Sequence, residues 1–221
     1  MHADAVTRPF DQSFYQVRCE WGVDGLARLA GAVPDVVVVV DVLRFSTKVT
    51  DAVARGETVP LDEAAHAVSV NGAAVAAAAS ALHPAPLMLL GCLRNASAVA
   101  RAVLAEQERR DARTSVAVIA SGELPAADGA GGLRFAVEDQ LGAGAIIDAL
   151  AELGIDHSSP EAAAACEAFR GLRRATRHLL TASGSGRELL GRDARADVLN
   201  AAEVDATDVV PVLRGGIFEA L

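Results

Sequence analysis

Five valines in a row, Val36 to Val40, stand between Pro34-Asp35 and Asp41 with no polar residue among them. A β-branched run without alternation is what a strand covered on both faces requires, so it predicts a central strand of a parallel or mixed sheet. Leu87 to Leu90 and Ser115 to Ala120 repeat the pattern more briefly, and Thr58 to Leu61 and Val209 to Leu213 read as further short strands. Between them the period changes. Ser46 or Thr47 caps a helix through Val49, Ala52 and Val53 that ends near Gly56, and Asp62 opens another helical stretch. Ala73 to Ala81 is Ala-rich and helical, with Pro84 and Pro86 interrupting after it. Asn95 or Ser97 then starts a helix with Val99, Val103 and Leu104 on one face.

In the second half, Phe135, Val137, Leu141, Ile146, Ile147, Leu150 and Leu153 predict a long helix over 131–154, weakened in its middle by Gly142 and Gly144. Pro160 to Leu180 reads as a second helical block. Its basic residues Arg170, Arg173, Arg174 and Arg177 suit a partly solvated amphipathic face. Gly184-Ser185-Gly186-Arg187 leads into a helix to Leu190, followed by a polar turn. Strands alternating with helices give an α/β fold, a three-layer α/β/α sandwich with a parallel or mixed central sheet. No repeat, linker or composition shift divides residues 1–221, which are expected to form a single domain.

Composition removes several partner classes. With 20 Lys+Arg against 29 Asp+Glu, a net charge of −9 and no basic run, the chain is a poor match for nucleic acid, and only 4% of its residues are aromatic. The mean hydropathy of +0.29 raises the question of a membrane, but the apolar stretches are strand-sized or broken by charge, so none is expected to span one. The start, MHADAVTRPF, lacks the apolar stretch of a secretory signal, and a cytoplasmic location is expected. Cys19, Cys92 and Cys166 are too few and too widely spaced for a disulfide framework or a zinc site and read as reduced, buried small hydrophobes. A chain this hydrophobic is compatible with a homo-oligomer.

Ligands of α/β sheets gather beyond the carboxyl ends of the strands. Two predicted strands are followed there by an acid, Asp41 after Val40 and Glu123 shortly after Ala120. Two carboxylates, waters and a substrate phosphate suit Mg²⁺; equally, each acid suits a helix cap or an ion pair with arginine. Arg44, with Ser46 and Thr47 at a helix start, forms either a phosphate cradle or an Asp/Arg pair beside an ordinary cap. Glu138-Asp139 opens a helix, where acids favour the positive end of the macrodipole. Gly186 and Arg187 lie in a turn that glycine opens to an anion. No P-loop, dinucleotide fingerprint, HExxH arrangement or GxSxG elbow is present.

Taken in order, several segments resemble the 2-phosphosulfolactate phosphatase family, Mg²⁺-dependent phosphatases of coenzyme M biosynthesis. They are VVVVDVLRFST (Val37 to Thr47), GETVPL (Gly56 to Leu61), Val70-Asn71-Gly72 and LLGCLRNASAVA (Leu89 to Ala100). VAVIASGE (Val116 to Glu123), LRFAVEDQLGAGAII (Leu133 to Ile147), Ser183 to Leu189, Asp197-Val198 and Asp208 to Leu213 follow. The resemblance covers most of residues 36–213, and its specific elements are the first segment and the Glu-Asp helix.

It implies water attack on a small anionic phosphoester. Asp41, Arg44 and Glu123 would carry catalysis, Asp41 or Glu123 positioning the water. Ser46, Thr47, Asn71, Asn95, Gly186 and Arg187 would contact substrate. Mg²⁺ would be held by Asp41, Glu123, Glu138 and Asp139. The chain departs from the pattern at DEAAHAVS, where the family carries a Gly-Glu-Arg loop and an Asn-Ser-Pro turn, and at Lys48 and Ala73, where it carries threonines. The departure leaves two alternatives beside the leading one: a non-catalytic relative that keeps the anion pocket, and a phosphatase of different substrate.

Overall fold

The computed structural model describes residues 10–62, 70–124 and 132–221. Its strands are β1 (Val17–Trp21), β2 (Val36–Val40), β3 (Val59–Pro60), β4 (Leu87–Gly91), β5 (Val116–Ala120), β6 (Pro211–Arg214) and β7 (Ile217–Ala220). They form one mixed sheet in the order β1-β5-β2-β4-β6-β7-β3. The first four run parallel, with Val38 level with Val118 on one side and Leu89 on the other. The last three are joined antiparallel.

The helices are α1 (Gly22–Leu29), α2 (Phe45–Ala54), α3 (Val70–Ser80), α4 (Ala96–Arg110), α5 (Val137–Glu152), α6 (Pro160–Leu172), α7 (Thr176–Ala182), α8 (Gly184–Gly191) and α9 (Arg195–Ala201). Because side chains alternate across a strand, the five valines of β2 serve two cores at once. Val36, Val38 and Val40 pack with Val99, Leu141, Ile146 and Phe169 of α4, α5 and α6. Val37 and Val39 pack with Leu26, Phe45, Val49 and Ala76 of α1, α2 and α3. All five are fully buried, as the unbroken apolar run requires. The three layers expected from sequence are therefore present.

Gly142 and Gly144, which weaken the helical pattern in sequence, are what let α5 lie against its neighbours. A Cβ on Gly142 would meet Val42 Cγ2 at 2.6 Å, and one on Gly144 would meet the Ala165 carbonyl oxygen at 2.1 Å. The expected 131–154 helix begins only at Val137, since Arg134 is drawn into an antiparallel bridge with Glu123. The 160–180 block breaks at a 3-10 turn, Arg173–Ala175, and the polar turn after Leu190 contains α9. Strand β1 carries no sequence signal because Arg18 and Glu20 interrupt it. Arg18 is nonetheless buried, its guanidinium donating to the carbonyls of Tyr15 and Ala32. The helical stretch read from Asp62 falls mostly outside the described residues.

Cys19, Cys92 and Cys166 are free and buried, and burial pushes the Cys19 thiol up to about 12. Among the described residues no helix is long and apolar enough to cross a membrane.

Candidate active site

Strand β2 ends by delivering Asp41 to the carboxyl rim of the parallel strands, where a cleft of about 740 Å³ opens. Asp41 is buried and braces two helices. Its Oδ1 accepts the Phe45 N–H at the start of α2 (3.1 Å), and its Oδ2 accepts the Gly72 N–H in the first turn of α3 (3.1 Å). Gly72 permits this approach, since a Cβ there would stand 2.5 Å from Asp41 Oδ2.

Helix α5 brings Glu138 and Asp139 in its first turn, both 3% exposed. Asp139 Oδ1 accepts the Val42 N–H at 2.7 Å and Oδ2 the Gly122 N–H at 2.9 Å, so one carboxylate ties together the turns after β2 and β5. Gly122, at φ +69°, gives the second turn its left-handed conformation. Burial, with Asp41 and Glu138 alongside, holds the Asp139 carboxyl well above the ordinary carboxylate range. Among the described residues neither Glu138 nor Asp139 has an ion-pair partner, and the Glu138 side chain lines the cleft without a hydrogen bond.

Glu123 enters from the loop after β5. Its backbone is clamped to Arg134 in both directions (2.9 and 2.7 Å), and its Oε2 accepts the Ser185 hydroxyl at 2.5 Å. Ser185 lies in the first turn of α8, which Ser183 caps by accepting the Gly186 N–H. Arg44 also lines the cleft. Its Nη1 donates to Asp197 Oδ2 at 3.1 Å, and Lys48 Nζ donates to the other oxygen at 2.7 Å. The hydrogen bond from Lys48, reinforced by both charges, holds Asp197 below the ordinary carboxylate range.

Of the residues singled out from sequence, Asp41, Arg44, Asn71, Glu123, Glu138 and Asp139 meet in this cleft, and Asn71 Oδ1 is buried there with no hydrogen-bond partner among the described residues. The other five, expected to contact substrate, are not among the residues that line it. Ser46 Oγ accepts the Asp41 N–H and donates to the Val39 carbonyl, and Thr47 Oγ1 donates to the Val42 carbonyl; both hydroxyls are consumed in shaping the turn. Asn95 is fully buried, accepting from Cys92 N and donating to the carbonyls of Leu90 and Val209. Gly186 serves packing, since a Cβ there would collide with the Leu180 carbonyl oxygen, and Arg187 is exposed outside the cleft.

The expectation of four acids on one ion narrows as well. Among the described residues no three His, Cys, Asp or Glu side chains form a group able to hold a metal ion, and Glu123 is turned to Ser185. Mg²⁺ needs no such cage, because it keeps several waters and takes one or two carboxylates plus phosphate oxygens. Glu138 and Asp139, buried hard-oxygen donors with no ion-pair partner among the described residues, fit that requirement, and Asp41 lines the same cleft.

Sequence reasoning gave no role to Arg134, Ser185 or Asp197. All three stand inside family-like segments, but nothing in periodicity marks them.

Among proteins of curated function none matches the chain. A family profile does, that of 2-phosphosulpholactate phosphatase, over residues 62–216. The match takes in Asn71, Glu123, Glu138, Asp139 and Ser185, while Asp41 and Arg44 precede it. It spans more than half of the sequence, and the chain belongs to the 2-phosphosulpholactate phosphatase family.

Proposed function

We propose that the cleft hydrolyses a small anionic phosphomonoester of the 2-phosphosulfolactate type in a Mg²⁺-dependent reaction. The observation that carries the reading is the meeting of Asp41, Glu123, Glu138 and Asp139 with Arg44 at one sheet rim, in a chain of this family. Glu138 and Asp139, with Asp41 beside them, are the residues that would hold Mg²⁺, which supplies charge neutralisation at the phosphoryl oxygens when bound.

Among the described residues Arg44 gives only Nη1, to Asp197, so its remaining N–H groups are left for a phosphoryl oxygen. Glu123, oriented by Ser185, accepts a proton from the attacking water. The water oxygen bonds to phosphorus and the ester P–O bond breaks. Its electron pair goes to the substrate oxygen, which takes a proton from solvent and leaves as the alcohol beside inorganic phosphate. Coenzyme M biosynthesis is the setting that the resemblance suggests for such a product.

The test is phosphate release from 2-phosphosulfolactate and from p-nitrophenyl phosphate, with Mg²⁺, with EDTA and in Asp41→Asn. The reading expects Mg²⁺-dependent turnover of 2-phosphosulfolactate that EDTA and Asp41→Asn both abolish. Turnover of the aryl ester alone identifies a phosphatase of different substrate, and turnover of neither ester identifies a non-catalytic relative.

A further inference from the structure

One face of α9 is matched to one face of α2. Asp197 and Asn200 stand a turn apart on α9, and their partners Arg44, Lys48 and Asp51 follow at the same helical spacing along α2 and the residue before it. Asp197 accepts the Arg44 Nη1 on Oδ2 at 3.1 Å and the Lys48 Nζ on Oδ1 at 2.7 Å. Asn200 Nδ2 donates to Asp51 Oδ2 at 2.7 Å, and Arg94 closes the seam by donating to Asp51 Oδ1 and to the Asn200 carbonyl, both at 3.1 Å. Val198, next to Asp197, is fully buried in the core. Asp197 therefore has a fixed place, which a lone ion pair between part-exposed side chains would not secure. Of Asp197, Lys48 and Arg44, only Arg44 is among the residues that line the cleft. The sharing matters too: with Lys48 on one carboxylate oxygen, Asp197 takes one N–H of the guanidinium and leaves the rest of its fork to the cleft.

We infer that Asp197 is a positioning residue, which holds the Arg44 guanidinium in the cleft so that its remaining N–H groups meet a phosphoryl oxygen, while Lys48 offsets the charge of Asp197. The inference rests on the phosphatase reading for the role of Arg44. It carries a sign opposite to simple electrostatics. An acid beside an anion site repels the anion, so removing that acid tightens binding. Where the acid aims the group that binds the anion, removing it weakens binding instead.

The experiment is a double-mutant cycle on the full-length protein with Mg²⁺: wild type, Asp197→Ala, Arg44→Ala and the double variant, with Asp197→Asn as the conservative substitution. Binding of inorganic phosphate is measured by calorimetry, and kcat and KM are measured on 2-phosphosulfolactate. Asp197→Ala should weaken phosphate binding and lower kcat/KM by about three- to tenfold each, and Asp197→Asn, which keeps one acceptor oxygen for Arg44, should recover part of both. In the Arg44→Ala background, with no guanidinium to aim, the same Asp197→Ala change should leave both quantities unchanged or raise them. Equal losses in the two backgrounds would mean that Asp197 only supports the fold, and tighter phosphate binding by Asp197→Ala alone would mean that it acts only as a charge; either result overturns the inference. If wild type hydrolyses no ester yet phosphate binding follows the cycle, the phosphatase reading fails and the inference stands. If wild type hydrolyses 2-phosphosulfolactate but Asp197→Ala loses neither phosphate affinity nor kcat/KM, only the inference fails. A wild type that neither binds phosphate nor hydrolyses the ester overturns both.

Discussion

Asp139 accepts the backbone N–H of Val42 at 2.7 Å across 97 residues of chain. With its second oxygen on Gly122, it places the first turn of α5 against the ends of β2 and β5. In Asp139→Asn one acceptor becomes a donor facing an N–H, while relief of a buried charge beside Asp41 and Glu138 offsets part of that loss. The metal-free melting temperature should therefore change by only a few degrees. Addition of Mg²⁺, which should raise the wild-type Tm, should raise that of the variant by less at the same concentration, its Mg²⁺ affinity being lower by at least about tenfold. Equal Mg²⁺ shifts in both proteins would separate Asp139 from the metal.

Ser185 holds Glu123 by one hydrogen bond. Ser185→Ala should lower kcat about tenfold with little change in KM, because a charged hydrogen bond that orients the proton acceptor is lost. Ser185→Thr keeps the hydroxyl and should recover most of the rate. A Thr variant as slow as the Ala variant would show that size at this position matters and the hydroxyl does not.

The Asp197 pair with Lys48 and Arg44 gives the fold an acid dependence. Its folded-state pKa is depressed below the ordinary 3.8, so its contribution to stability is complete above that value and is lost as pH falls through it toward the folded-state value. Thermal unfolding followed below about pH 4 should show wild type losing stability more steeply than Asp197→Asn. Parallel pH profiles would contradict the assignment.

Gly144→Ala pushes a methyl group onto the Ala165 carbonyl oxygen, a backbone atom that cannot swing aside. Denaturant unfolding should show a loss of about 1–3 kcal/mol, although alanine is the better helix former on an exposed surface. An unchanged or raised midpoint would mean that α5 and α6 separate at little cost.

That glycine also shows where sequence reasoning stops. The burial of β2 was legible because a strand covered on both faces has one simple signature, five consecutive β-branched residues. Gly142 and Gly144 read as helix weakeners, since propensity is local and the neighbour each glycine admits lies elsewhere in the chain. The site divides in the same way. Asp41, Glu123, Glu138 and Asp139 share the cleft, and they stand out in the sequence because they are acids at strand ends and helix starts. Ser46, Thr47 and Asn95 do not line it: hydroxyls and amides that suit an anion suit the backbone of a tight turn equally well, and here the backbone holds them.

The central claim is that the acids at this rim hold a divalent cation where a phosphoester can reach it. Crystals soaked in Mn²⁺, with anomalous scattering as the readout, test it most directly. The account predicts a peak within coordination distance of Glu138 or Asp139 carboxylate oxygens, in the cleft shared with Asp41 and Arg44. Manganese bound only elsewhere, or no peak at saturating concentration, would contradict it.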